Sequence, residues 1–306
     1  MSTKKAKKSF FGGFAPGGFS CYPMRMEMPR RPFGSTGVEV PIVGIGTWMM
    51  ERDGDKAVET LRRAVDEGAT HIDTAEMYGS GEVERIVGKA IHDARDRVFL
   101  VSKVMPSNAT YDGTIRACER SLKNLGTDRL DLYLLHWRES TPLAESFRAF
   151  DKLVADGKIL RFGVSNFDIG DMEEAERVAG KGRIACNQVL YHLQERMIEF
   201  DIIPWCERHG MAVVAYSPYG QGDFPSPHSP GGWRLREIAE SRKATPRQVA
   251  LAFLLRQKNI FAIPKTSNVD RLLENIGAAN LRLNDEEIRA IDATFPALRR
   301  DSLPML

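Results

Sequence analysis

The chain has 306 residues, 42% of them apolar and 27% charged, with a formal net charge of +2. That is material for one large core or two modest ones, and no apolar run is long enough to cross a bilayer, which argues against a membrane-spanning role. The charge is uneven: residues 1–31 hold Lys4, Lys5, Lys7, Lys8, Arg25, Arg30 and Arg31 against Glu27, so the rest is mildly acidic and shows no nucleic-acid footprint.

The opening MSTKKAKKSFFGGFAPGGFS pairs a basic start with phenylalanines. Glycine and proline interrupt its apolar part and no A-x-A site follows, so it reads as a flexible basic arm over residues 1–30 rather than an export signal. An overlong start, with initiation at Met24, Met26 or Met28, is the other reading of the same residues. Next, RPFGSTGVEVPIVG has the form of a β-hairpin with Ser35-Thr36-Gly37 at its turn, placed to close the bottom of whatever follows.

From Pro41 short β-branched runs alternate with helical patterns, the mark of repeated βα units around a parallel sheet. The strands read as 43–48, 71–75, 98–104, 130–136, 161–166, 185–191, 212–218 and 260–266. Between them, DKAVETLRRAVDEG repeats Val58, Leu61 and Ala64 at helical spacing and stops at Gly68; TIRACERSLKNLG, SFRAFDKLVADGKI and IIPWCERHG follow the same plan. Eight such units predict a (β/α)8 TIM barrel as one domain over 31–306, with the N-terminal hairpin and additional C-terminal helices. GQGDFPSPHSPGG (220–232) reads as a long loop on the face where barrels carry function. Beyond it, LREIAESRKATPRQVALAFLLRQKN holds two helical patterns, with Thr245 as N-cap and Pro246 at the first helical position.

Because barrel active sites form where strands end, those ends list the candidate groups. They are Trp48, then Asp73 with Tyr78 in the following loop, Lys103, and His136-Trp137. A phenol near its ordinary pKa of about 10 is a poor proton donor at neutral pH, and a neighbouring ammonium is expected to lower it. Asp73 then holds Lys103 as an ion pair, and His136 hydrogen-bonds the oxygen that Tyr78 protonates. The set is suited to stabilising a developing alkoxide.

GIGTW, HIDTAEMYG, VSKV, LDLYLLHW, GVSN, CNQ, AYSP and IPKTSNVDRLLEN stand here in one order, and by them the chain resembles the aldo-keto reductase superfamily from Arg31 to about Pro296. The resemblance implies that Asp73, Tyr78, Lys103 and His136 are the catalytic tetrad, with hydride passing from NADPH to an aldehyde or ketone. Family members that reduce steroid double bonds replace the histidine with glutamate, so His136 favours carbonyl chemistry. No G-x-G-x-x-G follows a predicted strand, which disfavours a Rossmann site.

The family instead lays the dinucleotide across the barrel mouth. On that pattern Ser165, Asn166 and Gln188 meet the nicotinamide carboxamide, Tyr216 stacks on its ring, and Ser217 runs along the pyrophosphate. Lys265, Thr266, Ser267, Asn268 and Arg271 surround the adenosine end, with Glu274 and Asn275 at the adenine. Two cations and hydroxyls there suit the 2′-phosphate of NADP. Trp48 and Trp137 then wall the substrate pocket, and the short tail after Pro296 predicts an open, tolerant mouth.

Glu76 and Glu82 read as structural, Glu82 at the positive end of a helix dipole. Cys21, Cys118, Cys186 and Cys206 show no metal-like spacing, and no metal site is expected. A cytoplasmic monomer acting on a small carbonyl compound is the leading reading. Its rivals are a dinucleotide-binding, redox-sensing accessory subunit with little turnover and a hydrolase using Asp73 with Glu82.

Overall fold

The computed structural model describes residues 27–306. The basic arm expected over residues 1–30, with Cys21 and the alternative starts Met24 and Met26, thus falls almost wholly outside the described residues.

The hairpin is present. β1 (Arg30–Pro32) pairs antiparallel with β2 (Glu39–Pro41), Arg31 opposite Val40, and the chain reverses through Gly34 and Gly37, both at positive φ. Phe33 leaves the end of β1 and is fully buried, its ring 5.1 Å from Phe99 and 4.9 Å from Phe261. It plugs the end of the barrel at which the strands begin.

Eight parallel strands follow: β3 (Ile45–Gly46), β4 (His71–Asp73), β5 (Phe99–Val104), β6 (Leu132–Leu135), β7 (Phe162–Ser165), β8 (Ile184–Leu190), β9 (Ala212–Tyr216) and β10 (Ile260–Ala262). They lie side by side in sequence order. The sheet closes on itself where Val43 bridges Ala262 and Gly46 bridges Lys265, with Gly44 N donating to Ala262 O at 2.9 Å. Each strand falls within or beside its expected window and is mostly shorter, because regular pairing stops short of Trp48, His136 and Asn166 at the mouth, although the last two still donate their amides to Val104 O and Gln188 O.

Helices cover the outside. Asp55–Asp66 buries Val58, Leu61 and Ala64 as its periodicity predicts, and Gly68 at φ 88 turns the chain into the next strand. Tyr111–Leu125 ends at left-handed Gly126. Thr245 forms a full capping box with Gln248 at the start of Pro246–Leu254. The segment 220–232 is only partly a loop: Ser229 accepts a hydrogen bond from Gly232 N, and the helix Pro230–Arg242 begins at once. The proline read as a loop former occupies the first helical position, where its missing N–H costs nothing.

His71 opens β4 at the barrel floor, fully buried, edge-on to Phe33 and Phe99, with neither ring nitrogen hydrogen-bonded among the described residues. Burial, aided by the Lys103 cation, pushes its pKa down to about 3, so the native state holds it neutral. An unfolded histidine binds its proton near pH 6.5. Stability from this group is therefore complete above that value and declines as pH falls toward about 3, at ~1.4 kcal/mol per unit. In urea unfolding across this window, His71→Leu should decline less steeply than wild type; equal slopes would show that another group is responsible.

Candidate active site

Asp73 ends β4 and Lys103 stands one residue before the end of β5, so parallel pairing of these strands places both at the mouth. Lys103 Nζ donates to Asp73 Oδ1 at 2.5 Å and to Thr74 O at 2.8 Å. Gln188 Nε2 donates to the other carboxylate oxygen at 2.8 Å. Thr47, from the end of the first barrel strand, donates both its amide and its hydroxyl to Asp73 O. The pair is essentially inaccessible to water, Asp73 at 1% and Lys103 at 0% exposure, which is tolerable only with this degree of hydrogen bonding.

The ammonium's remaining direction points at Tyr78, whose hydroxyl lies 3.5 Å away. Burial opposes the charge on Lys103, but Asp73 and Tyr78 outweigh it and raise the lysine's pKa, keeping the cation through the neutral range. The phenol departs from expectation. Lys103 does pull its pKa down, but burial, with a smaller contribution from Asp73, outweighs that pull and leaves Tyr78 above its ordinary value. The cation is already largely neutralised by the carboxylate 2.5 Å away. Tyr78 is consequently a protonated hydroxyl at neutral pH, with a cation at hand for the phenolate it becomes on giving its proton up.

Tyr78 is half-buried between the Trp48 ring at 4.9 Å and the His136 imidazole at 5.9 Å, both edge-on. Trp137 follows, 4.9 Å from His136. Burial first and Lys103 second press the His136 pKa well below its ordinary value, so the ring is neutral, offering one N–H donor and one acceptor. Its Nδ1 is buried without a hydrogen-bond partner among the described residues.

On the opposite wall the remaining groups form one hydrogen-bonded chain. Tyr216 OH donates to Asn166 Oδ1 at 2.9 Å; Asn166 Nδ2 donates to His136 O and to Ser165 Oγ, each at 3.2 Å; Ser165 Oγ donates to Gln188 O at 2.9 Å. Asn166 and Ser217 hold positive φ, as do Met49 and Gln221 across the same opening. Four non-glycine residues in left-handed backbone at one mouth is local strain kept in place by its surroundings.

These walls enclose a cavity of about 650 Å³, with Asp73, Tyr78 and His136 at its floor and Lys265 at one end. Lys103 lies just beneath. Trp48, Trp137, Ser165, Asn166, Gln188, Tyr216 and Ser217 all line it, whereas Thr266, Ser267, Asn268, Arg271, Glu274 and Asn275 continue past Lys265 outside it. There, Asn268 Oδ1 is committed to capping the helix Val269–Ala278, accepting from Arg271 N at 2.9 Å. Arg271 pairs with Glu274 at 2.6 Å, and Asn275 Oδ1 accepts from Tyr219 OH at 2.7 Å. Ser267 Oγ is buried with no hydrogen bond of good geometry.

Several lining residues escaped sequence reasoning, among them Met49, Met77 and Tyr219. The mouth is also less open than the short tail suggested. Arg300 pairs with Glu195 at 2.7 Å and Arg299 sits over the Phe200 ring, drawing the tail back so that Met305 and Leu306 line the cavity. The arginine pair in ALRRDS is the signal that marked this return. Glu76 accepts from Met105 N at 2.8 Å and pairs with Arg120, fixing the loop after β5, while Glu82 pairs with Arg85 at an exposed helix start; both are structural.

Comparison with known proteins places this geometry in context. The family profile described as "Aldo/keto reductase family" matches residues 42–295. A methylglyoxal reductase of Escherichia coli (strain K12) is 43% identical over 263 residues, 85% of this chain and 93% of that protein. A glyoxal reductase of Bacillus subtilis (strain 168) is 35% identical over 257 residues, 84% of this chain and 90% of that one. Among solved structures, an aldo/keto reductase from Klebsiella pneumoniae in complex with NADP and acetate superposes with a TM-score of 0.84 at 43% identity, covering 89% of this chain and 98% of that chain.

Neutralising one member of the buried pair isolates the other charge. Asp73→Asn should lower the unfolding free energy by ~3–5 kcal/mol at pH 7 in urea titration; a loss below about 1 kcal/mol would mean the ammonium finds another counter-charge.

Proposed function

Because the chain belongs to the aldo/keto reductase family, we propose that it reduces aldehydes or ketones to alcohols with NADPH, and that Tyr78 supplies the proton. The observation that carries this reading is Lys103, clamped by Asp73 at 2.5 Å and reaching the Tyr78 hydroxyl at 3.5 Å beside a neutral His136. Three polar atoms around the mouth fit a dinucleotide. The Gln188 side-chain oxygen Oε1 accepts no hydrogen bond among the described residues, and His136 Nδ1 and the Ser267 hydroxyl are buried without a hydrogen bond of good geometry there.

When bound, NADPH supplies the hydride. The chain's residues do the rest. Asn166 and Gln188 orient the carboxamide, the Tyr216 ring offers a flat apolar face, and Ser217 runs along the pyrophosphate. Lys265, Thr266, Ser267 and Arg271 meet the adenosine phosphate, with Glu274 and Asn275 at the adenine and Asn268 holding the turn by capping its helix. His136 donates a hydrogen bond to the carbonyl oxygen and fixes it against Tyr78. Tyr78 gives its proton to that oxygen as negative charge builds, and Lys103 stabilises the resulting phenolate. Asp73 keeps Lys103 charged and aimed. Trp48 and Trp137 shut water from one side of the reacting centre.

Residues 31–306 are read as one catalytic unit, acting as a monomer in the cytoplasm. Cys118, Cys186 and Cys206 are free, buried thiols, kept protonated by burial that drives Cys118 and Cys206 to about 12, which suits a reducing compartment. The names of its relatives put glyoxal and methylglyoxal first among substrates to test.

Purified protein mixed with NADPH should show fluorescence quenching, followed by loss of NADPH absorbance on adding small aldehydes. Absence of quenching would sink the reading. Tyr78→Phe should keep the quenching and lose on the order of 10²-fold or more in turnover; reduction at the parent rate would remove Tyr78 from its role.

A further inference from the structure

Lys265 sits at the cavity end where the cofactor's phosphate is placed by the reading above, on which this inference rests. Its ammonium already has an anion. Asp53 Oδ2 lies 3.0 Å from Lys265 Nζ, each side chain about a third exposed. The two come from opposite sides of the barrel's closing seam: Asp53 follows the turn Met50–Arg52, and Lys265 pairs in parallel with Gly46. The acid is fixed in place, its amide donating to Met50 O at 3.0 Å and its carbonyl accepting from Lys56 N at 3.2 Å. Ser267 and Lys265 hold the Asp53 carboxyl below the usual carboxylate range, so it is charged at neutral pH.

The other cation at this end, Arg271, is paired within its own helix to Glu274, an acid also held by the Thr245 hydroxyl at 2.6 Å. Asp53 is different. It belongs to neither the Lys265 turn nor that helix, and its carboxylate accepts from the lysine across the seam. A phosphate arriving at Lys265 meets an ammonium already neutralised by the carboxylate 3.0 Å away and has to compete with that carboxylate for it. Exposed as it is, the ion pair adds little to folding. Its weight falls on the ligand.

We propose that Asp53 sets how strongly this chain selects a dinucleotide carrying a 2′-phosphate, by competing with that phosphate for the Lys265 ammonium. Asp53 is thus a specificity-determining residue, acting through Lys265 rather than by touching the reacting atoms. It holds NADPH affinity below what the cations at this end allow and makes cofactor release easier.

The test is a set of dissociation constants for NADPH and NADH, read by quenching of intrinsic fluorescence in wild type, Asp53→Asn, Lys265→Met and the double variant. Asp53→Asn should bind NADPH about 3- to 10-fold more tightly, with the gain shrinking as salt is raised, and should bind NADH within about twofold of wild type. In the Lys265→Met background the same substitution should change neither constant. Unchanged or weaker NADPH binding in Asp53→Asn, equal tightening of both cofactors, or tightening that persists without Lys265 would each overturn the proposal. Wild-type protein that binds neither cofactor would overturn the functional reading, and this inference with it.

Discussion

A buried ion pair governs this mouth. Taking the Asp73 carboxylate and the Lys103 ammonium out of water is costly, and 2.5 Å of separation repays the cost only when the remaining oxygens and protons are also satisfied. Those partners come from three places: Thr74 after β4, Gln188 on β8 and Tyr78 in the loop beyond, while Thr47 holds the Asp73 backbone carbonyl. Strand registers on both sides of the barrel are thereby tied to one electrostatic requirement. Slipping β5 by one residue against β4 would send Lys103 to the helix side of the sheet and leave Asp73 alone in the core.

The same pair explains the chemistry assigned to Tyr78. A lone ammonium near a phenol would lower its pKa strongly; an ammonium sharing its charge with a carboxylate does so weakly, and burial wins. On the proposed chemistry the hydroxyl stays protonated until charge develops on its acceptor. The cation then has something new to stabilise. Raised phenol and clamped lysine together make a donor that is stored in the right form rather than one that leaks its proton to water.

Much of this was legible in the sequence, for reasons of period and position. Strands buried on both faces read as short β-branched runs, helices as 3.6-residue stripes ended by glycine, and a strand's last residues point at the mouth whatever the loops do. Asp73, Lys103 and His136 stand at strand ends by that reading, with Tyr78 in the loop after β4. What stayed hidden depends on distances between segments far apart in the chain. Phe33 looks like any hairpin aromatic until Phe99 and Phe261 close around it. Arg299 and Arg300 look like a solvated tail until Glu195 and Phe200 draw them back. Pro230 has the same composition in a loop and at a helix start. The net shift of the phenol is a balance of burial against two opposite charges, and residue types alone do not fix that sign.

The account stands or falls on Lys103 acting on Tyr78 as a shared cation. The most direct measurement is the pH profile of kcat/KM for carbonyl reduction in wild type and Lys103→Met. Without the ammonium, the phenol becomes a weaker acid, so the fall in rate at high pH should move further upward while the plateau at neutral pH drops on the order of 10²-fold. A high-pH limb that stays in place with an unchanged plateau, or one that moves toward lower pH, would contradict the account.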